Sequence, residues 1–112
     1  MNIQIFGKKK CFDTKKAERY FKERKIKYAF IDMNEKGISK GELNSVKNSI
    51  SLNELINEKS KDYKSSNIDK IRSSDIKIEI LLKNQSLIKT PIVRNGKDAT
   101  VGYKPEIWKE WE

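Results

Sequence analysis

Cys11 is the only cysteine in the chain, and its neighbours are of a kind that activates a thiol. It follows Lys8-Lys9-Lys10 and precedes a stretch that reads as the start of a helix, with Asp13 and Thr14 as first-turn residues. A helix N-terminus and nearby ammonium groups, Lys15 included, both favour thiolate over thiol. Thr14 stands at Cys-x-x-Thr spacing, from which its hydroxyl can reach back to the sulfur. Asp13 opposes this with its charge unless it faces backbone amides. A lone cysteine can also be an inert apolar side chain, but the neighbours Lys10, Phe12 and Asp13 and the turn position fit that reading poorly. The pattern points to a nucleophilic thiol, with Cys11 and Thr14 as the catalytic candidates. An internal disulfide is impossible with one cysteine, and with no histidine the chain offers no usual zinc donor set, so no metal is expected.

Two further pieces could serve that thiol. Thr90-Pro91 opens an apolar run, and proline is tolerated at the first residue of a strand or on an edge. A cis bond there would turn the Thr90 backbone toward Cys11 and leave its amide and carbonyl to hold an extended thiol substrate. An ordinary trans proline would simply open the strand. Gly102-Tyr103-Lys104-Pro105 places Lys104 at a helix start, where it could attract an anion with the help of helix amides, or stand solvated. Lys10, Thr90, Pro91 and Lys104 are therefore the substrate-binding candidates.

These residues need elements to hold them. Ile3 and Ile5, with Phe6, suggest a first strand ended by Gly7. Ala17, Tyr20, Phe21 and Arg24 repeat at helical spacing after Cys11. Tyr28 to Met33 reads as a second strand. Strand, helix and strand within about thirty residues form a right-handed βαβ unit with parallel strands. Ser39 and Glu42 have capping-box spacing before the apolar face Leu43, Val46 and Ile50. Ser51 precedes a short helix with Leu52, Leu55 and Ile56. Lys59 to Ser66 reads as a polar loop or frayed helix end, and Asp75 opens an apolar helix with Ile76, Ile80, Leu81 and Leu82. Thr90 to Val93 and Thr100 to Tyr103 flank an Asn95-Gly96 turn signal and should form an antiparallel hairpin. Pro105 then starts a last helix, whose Trp108 and Trp111 would seal it on the core. The result is an α/β fold of thioredoxin-like layout: a four-stranded mixed sheet flanked by helices, with a helical insert between strands 2 and 3, in a single domain over residues 1–112. In that layout the reactive cysteine lies at the first βα turn, and a proline starting the third strand faces it.

Composition narrows the function classes. Apolar residues make up 36% and charged residues 37% of 112 residues, which suits one domain with a small core. No stretch approaches membrane-spanning length, and the first residues lack a signal-peptide layout, so a cytoplasmic location is expected. The net charge of +9 could attract nucleic acid. However, 21 of the 25 basic residues are Lys, whereas specific phosphate and base readers favour the bidentate fork of Arg. No aromatic stacking stripe accompanies the charge. A solvated basic surface is the preferred reading, with no nucleic acid partner.

The three pieces, in this order, resemble the arsenate reductase-like (ArsC/Spx) family. The matching stretches are Gly7 to Ala17, Leu87 to Val93 and Val101 to Trp108; the resemblance covers essentially the whole chain and is strongest to the small YffB-like branch, often suggested to be glutathione-dependent thiol reductases. It implies a nucleophile at Cys11 and no bound cofactor. In arsenate reductases the thiolate attacks arsenate, and glutathione with glutaredoxin resolves the adduct. The three arginines that surround the oxyanion there fall on Asn57, Thr90 and Lys104 here. Only Lys104 keeps a charge, which speaks against arsenate reduction; Arg94 and Lys89 would compensate only if they point inward. Spx-type regulators usually carry a Cys-x-x-Cys switch and bind RNA polymerase. Thr14 takes the second position of that pair here.

The leading expectation is a thiol-dependent reductase in which Cys11 attacks an oxidised substrate or a mixed disulfide, and an external thiol such as glutathione, or a glutaredoxin-type protein, resolves it. The alternative is a non-enzymatic regulator that binds a protein such as RNA polymerase and tolerates loss of the cysteine. Nucleic-acid binding, which would show steep salt dependence, ranks last.

Overall fold

A computed structural model describes residues 1–112. Four strands, β1 (Ile3–Gly7), β2 (Tyr28–Asp32), β3 (Ile92–Asn95) and β4 (Asp98–Val101), form one sheet in the order β2-β1-β3-β4. β1 and β2 run parallel; β3 is antiparallel to β1, and β4 to β3. α1 (Phe12–Glu23) makes the crossover between the parallel strands, and α6 (Pro105–Trp111) follows β4. Between β2 and β3 lies the helical insert: α2 (Lys40–Lys47), α3 (Leu52–Leu55), α4 (Tyr63–Ser66) and α5 (Ser74–Lys83), with short 3-10 turns after α4 and α5. This is the thioredoxin-like mixed α/β sheet expected from the order of elements.

The period-2 alternation of the strands divides the core between the two faces of the sheet. Ile3, Ile5 and Val93 join Ala17, Tyr20 and Phe21 of α1 and Trp108 of α6 in one cluster. Phe6, Ile92 and Ala99 point the other way and meet Leu43, Val46, Leu55, Ile78, Leu81 and Ile88 of the insert and its exit. Trp108 is fully buried, and its indole Nε1 donates to Thr100 Oγ1 at 2.8 Å. Trp111 packs on the same cluster.

The Ser39 capping box is formed in both directions, through Glu42 N–H to Ser39 Oγ and Ser39 N–H to Glu42 Oε1. Three expectations shift. The last insert helix starts at Ser74 rather than Asp75, with Ser73 as N-cap accepting from the Ile76 N–H at 3.3 Å. Ile78 and Leu81 face inward while Ile76 is half exposed; five apolar residues in a ten-residue helix leave its buried face ambiguous. The polar stretch Lys59 to Ser66 contains a four-residue helix, and Ile68, just after it, is fully buried. In the hairpin, Asn95 pairs with Asp98, so Gly96 and Lys97 form the turn. Gly96 has φ +60° and Lys97 has no positive φ, the pattern with glycine at the first central position.

Candidate active site

β1 aims the chain at the site, and α1 presents the sulfur. Cys11 is the N-cap of α1, with extended backbone (φ −77°, ψ 122°). Its N–H donates to the Lys8 carbonyl at 2.9 Å, and its carbonyl accepts from Lys15 at 3.2 Å. Thr14, at the third helical position, is fully buried, and its Oγ1 accepts from the Lys8 N–H at 3.4 Å. That contact requires Gly7: a Cβ there would lie 2.7 Å from Thr14 Oγ1. The last residue of β1 is therefore small so that the α1 hydroxyl can sit directly over it.

The Thr90-Pro91 peptide is cis. Thr90 meets the sulfur twice: its Oγ1 donates to Cys11 Sγ at 3.3 Å, and its carbonyl accepts from the thiol at 3.7 Å. The first contact suits the thiolate and the second the thiol. The side-chain hydroxyl was not anticipated from the sequence, where only the Thr90 backbone is assigned a role. Pro91 is buried, and its carbonyl accepts from the Gly102 N–H at 2.8 Å, which ties the start of β3 to the loop carrying Tyr103 and Lys104. Gly102 has φ +84°, a conformation glycine adopts without a Cβ penalty.

The Cys11 thiol lies below the usual cysteine range. Burial alone pushes it up, but the Thr14 side chain, the Thr90 hydroxyl and the backbone N–H groups of Thr14 and Asp13 together outweigh burial. Those amides favour the thiolate without closing a formal side-chain cap. The lysines do not produce the shift. Lys9 reaches Asp32 at 3.9 Å instead, and Lys10 is exposed and outside the cavity beside the sulfur. Asp13 enters through its amide, in the favourable direction.

The sulfur opens onto a cavity of about 780 Å³. Thr90, Val101, Gly102, Tyr103 and Lys104 form one side, and Asp13 lies beside Cys11. The other side comes from the insert and its exit: Glu54, Asn57, Glu58, Lys59 and Lys89. The insert reaches the site because its backbone is hydrogen-bonded to the segment before Pro91: Asn57 N–H donates to Leu87 O at 2.7 Å and Lys89 N–H to Leu55 O at 2.8 Å, around an Ile56–Ile88 bridge. Asn57, Thr90 and Lys104, where the resemblance places the three arginines, thus all line one cavity with Cys11. Lys89 lines it too. Arg94 does not; its guanidinium donates to Gln4 Oε1 at 3.0 Å and Ser45 Oγ at 3.3 Å on the insert face of the sheet. Glu54, Glu58 and Lys59 were missed in the sequence, where nothing local marks three insert residues as neighbours of Cys11. Phe12, 71% exposed, stands next to the cysteine with the Lys16 ammonium 4.8 Å from its ring centre.

The family model described as the ArsC family matches residues 6–111. The chain belongs to the ArsC family. Among curated proteins this ArsC-family chain is similar to the uncharacterised protein YusI of Bacillus subtilis (strain 168), with 28% identity and 98% of each chain covered. Among solved structures it is similar to an ArsC family related protein from Bacteroides fragilis, at TM-score 0.89 and 22% identity, covering 100% of this chain and 98% of that one. It is also similar to the arsenate reductase from Vibrio cholerae, at TM-score 0.87 and 23% identity, covering 98% and 97%. At those identities the two structures establish a shared fold. No helix is long and apolar enough to cross a membrane.

Proposed function

We propose that this ArsC-family chain is a single-cysteine thiol reductase working by thiol–disulfide exchange. The observation that carries this is the placement of Cys11 Sγ, at the N-cap of α1, 3.3 Å from the Thr90 hydroxyl and open to the cavity. The Cys11 thiolate attacks one sulfur of a substrate disulfide. A Cys11 mixed disulfide forms, the substrate S–S bond breaks, and the other half leaves as a thiolate that takes a proton from water. An external thiolate then attacks the substrate-derived sulfur, freeing Cys11 and releasing a new mixed disulfide. A second cycle on that product completes a two-electron reduction at the expense of two external thiols. Glutathione or a similar thiol fits this role, as does a glutaredoxin-type protein, and a reducing cytoplasm would supply either.

Thr14 and Thr90 hold the thiolate, the turn at Thr90-Pro91 lies along the substrate, and Lys104 attracts an anionic group. Arsenate reduction is disfavoured. Of the three positions given to arginine in arsenate reductases, only Lys104 is cationic here, and Asp13, Glu54 and Glu58 share its cavity.

The test is the pH dependence of Cys11 alkylation. The wild-type midpoint is expected below the free-cysteine value of about 8.5, and Thr90→Val is expected to raise it by removing a donor to the sulfur. A wild-type midpoint at or above that value would overturn the mechanism. So would turnover of a glutathione mixed disulfide that survives Cys11→Ser; no turnover by either protein, with binding to a protein such as RNA polymerase that tolerates Cys11→Ser, would point instead to a regulator.

A further inference from the structure

The cavity beside Cys11 carries charge of both signs. Asp13, Glu54 and Glu58 supply three carboxylates, and Lys59, Lys89 and Lys104 three ammonium groups. None of the six belongs to a side-chain ion pair; the pairs within 4.0 Å are Lys9–Asp32, Arg24–Glu112 and Lys40–Glu79, all elsewhere. On a chain of net charge +9, three carboxylates are collected around one sulfur. An inorganic oxyanion placed there would meet as many like charges as opposite ones. A ligand bearing both an ammonium and a carboxylate would meet partners for each, and a cavity of about 780 Å³ is within the size range of sites for small organic ligands.

The two insert carboxylates are well placed to discriminate. Glu54 belongs to α3, and Glu58 follows the Ile56–Ile88 bridge. Backbone pairing between Leu55 and Lys89 fixes this wall against the segment that carries Thr90. Lys89 projects from that same segment, so carboxylate and ammonium groups border the path to the sulfur from adjoining backbones.

We propose that the cavity selects disulfides of amino-acid or peptide thiols with a free ammonium group, which Glu54 and Glu58 hold while Lys89 or Lys104 takes the carboxylate. This rests on the reading of Cys11 as an exchanging nucleophile and names its substrate class. The exchange is as written above: the thiolate bonds to one sulfur of the zwitterionic disulfide, and the other sulfur departs as a thiolate.

The test follows formation of the Cys11 mixed disulfide by mass spectrometry with two probes. Cystine carries ammonium and carboxylate groups, whereas 3,3′-dithiodipropionate carries carboxylates alone. Each rate is divided by that of an unstructured cysteine peptide, which removes intrinsic reactivity. The normalised cystine rate is expected to exceed the other by about tenfold, the size of one hydrogen bond to a charged group. Glu54→Gln with Glu58→Gln should abolish that preference and leave the dithiodipropionate rate no lower. Both glutamates are exposed, and Glu58→Gln alone gives the same readout should the double variant fold poorly. Equal normalised rates in the wild type would overturn the selectivity while leaving the exchange reading intact. No reaction of Cys11 with either probe would overturn the exchange reading itself.

Discussion

The two faces of the sheet are held by different means, and the cavity beside Cys11 draws on both. The α1 and α6 face is small and aromatic. Tyr20, Phe21 and Trp108 meet with ring centres 5.0–5.2 Å apart, and Tyr103 packs edge-on against Trp108 at 5.6 Å. The insert face is larger and aliphatic, with 15 buried residues against seven. Its loops are fastened by polar clamps. Gln85 bridges the chain after Gly37, accepting from the Ile38 N–H at 2.8 Å and donating to the Ile38 carbonyl at 2.9 Å. Ser86 donates to Asp62 at 2.7 Å, and hydrogen bonds from Ser86 and Asn84 hold the Asp62 carboxyl below its usual range. The aromatic face positions Cys11 through α1 and the Tyr103–Lys104 wall through Trp108. The insert face supplies the opposite wall. Nucleophilicity and substrate choice should therefore respond separately to damage on the two sides.

The largest effect is expected at Trp108. Trp108→Ala removes the fully buried centre of the smaller cluster and leaves Thr100 Oγ1 without its donor. A loss of about 3–5 kcal/mol in denaturant unfolding is expected, a large part of what a domain this size has to spare. A loss under 1 kcal/mol would show that the insert face alone holds the sheet.

A middle-sized effect is expected at the insert clamp. Gln85→Ala strands the Ile38 N–H and carbonyl and should cost about 1–3 kcal/mol. It should weaken substrate saturation more than it moves the Cys11 alkylation midpoint, because the donors to the sulfur come from α1 and Thr90. An equal change in both would dissolve the separation between the two sides.

The smallest effect concerns Tyr28, at the edge of the aromatic cluster. Burial, and then the hydrogen bond to Glu18 at 2.9 Å and its charge, push the phenol up to about 12. A raised folded value means the stabilisation is full below the unfolded value of about 10 and is lost as pH rises toward 12. Tyr28→Phe should cost about 0.5–1 kcal/mol near neutral pH, and that difference should vanish at high pH in parallel urea titrations. A difference independent of pH would assign the effect to packing instead.

Much of the fold was legible because it rests on local rules. Alternation in β1 and helical spacing after Cys11 identify the βαβ unit, Ser39 and Glu42 announce their capping box, and Pro105 marks the last helix. The insert was harder to read. Ile76, Ile78, Ile80, Leu81 and Leu82 leave α5 without a clear polar face, so Ile78 became distinguishable from Ile76 only once the helix had a neighbour. The turn at Gly96-Lys97 was displaced by one residue because an Asn-Gly pair fits either register locally, and the partner strand decides.

The site divides in the same way. The single cysteine, its position before a helix, the threonine three residues on and the Thr-Pro dipeptide were legible in the chain, since each depends on neighbours within a few positions. Tertiary structure alone decided that hydrogen bonds from Thr90 and the first turn of α1, rather than the lysine run, lower the thiol. It turned Arg94 to Gln4 and Ser45 and left Lys10 outside the cavity. It also brought Glu54 and Glu58 beside Cys11, more than forty positions away in the chain. The reason is that charge and hydrogen bonding act through space over a few ångströms, and only the pairing of the insert backbone with the segment before Pro91 sets which side chains come within that range.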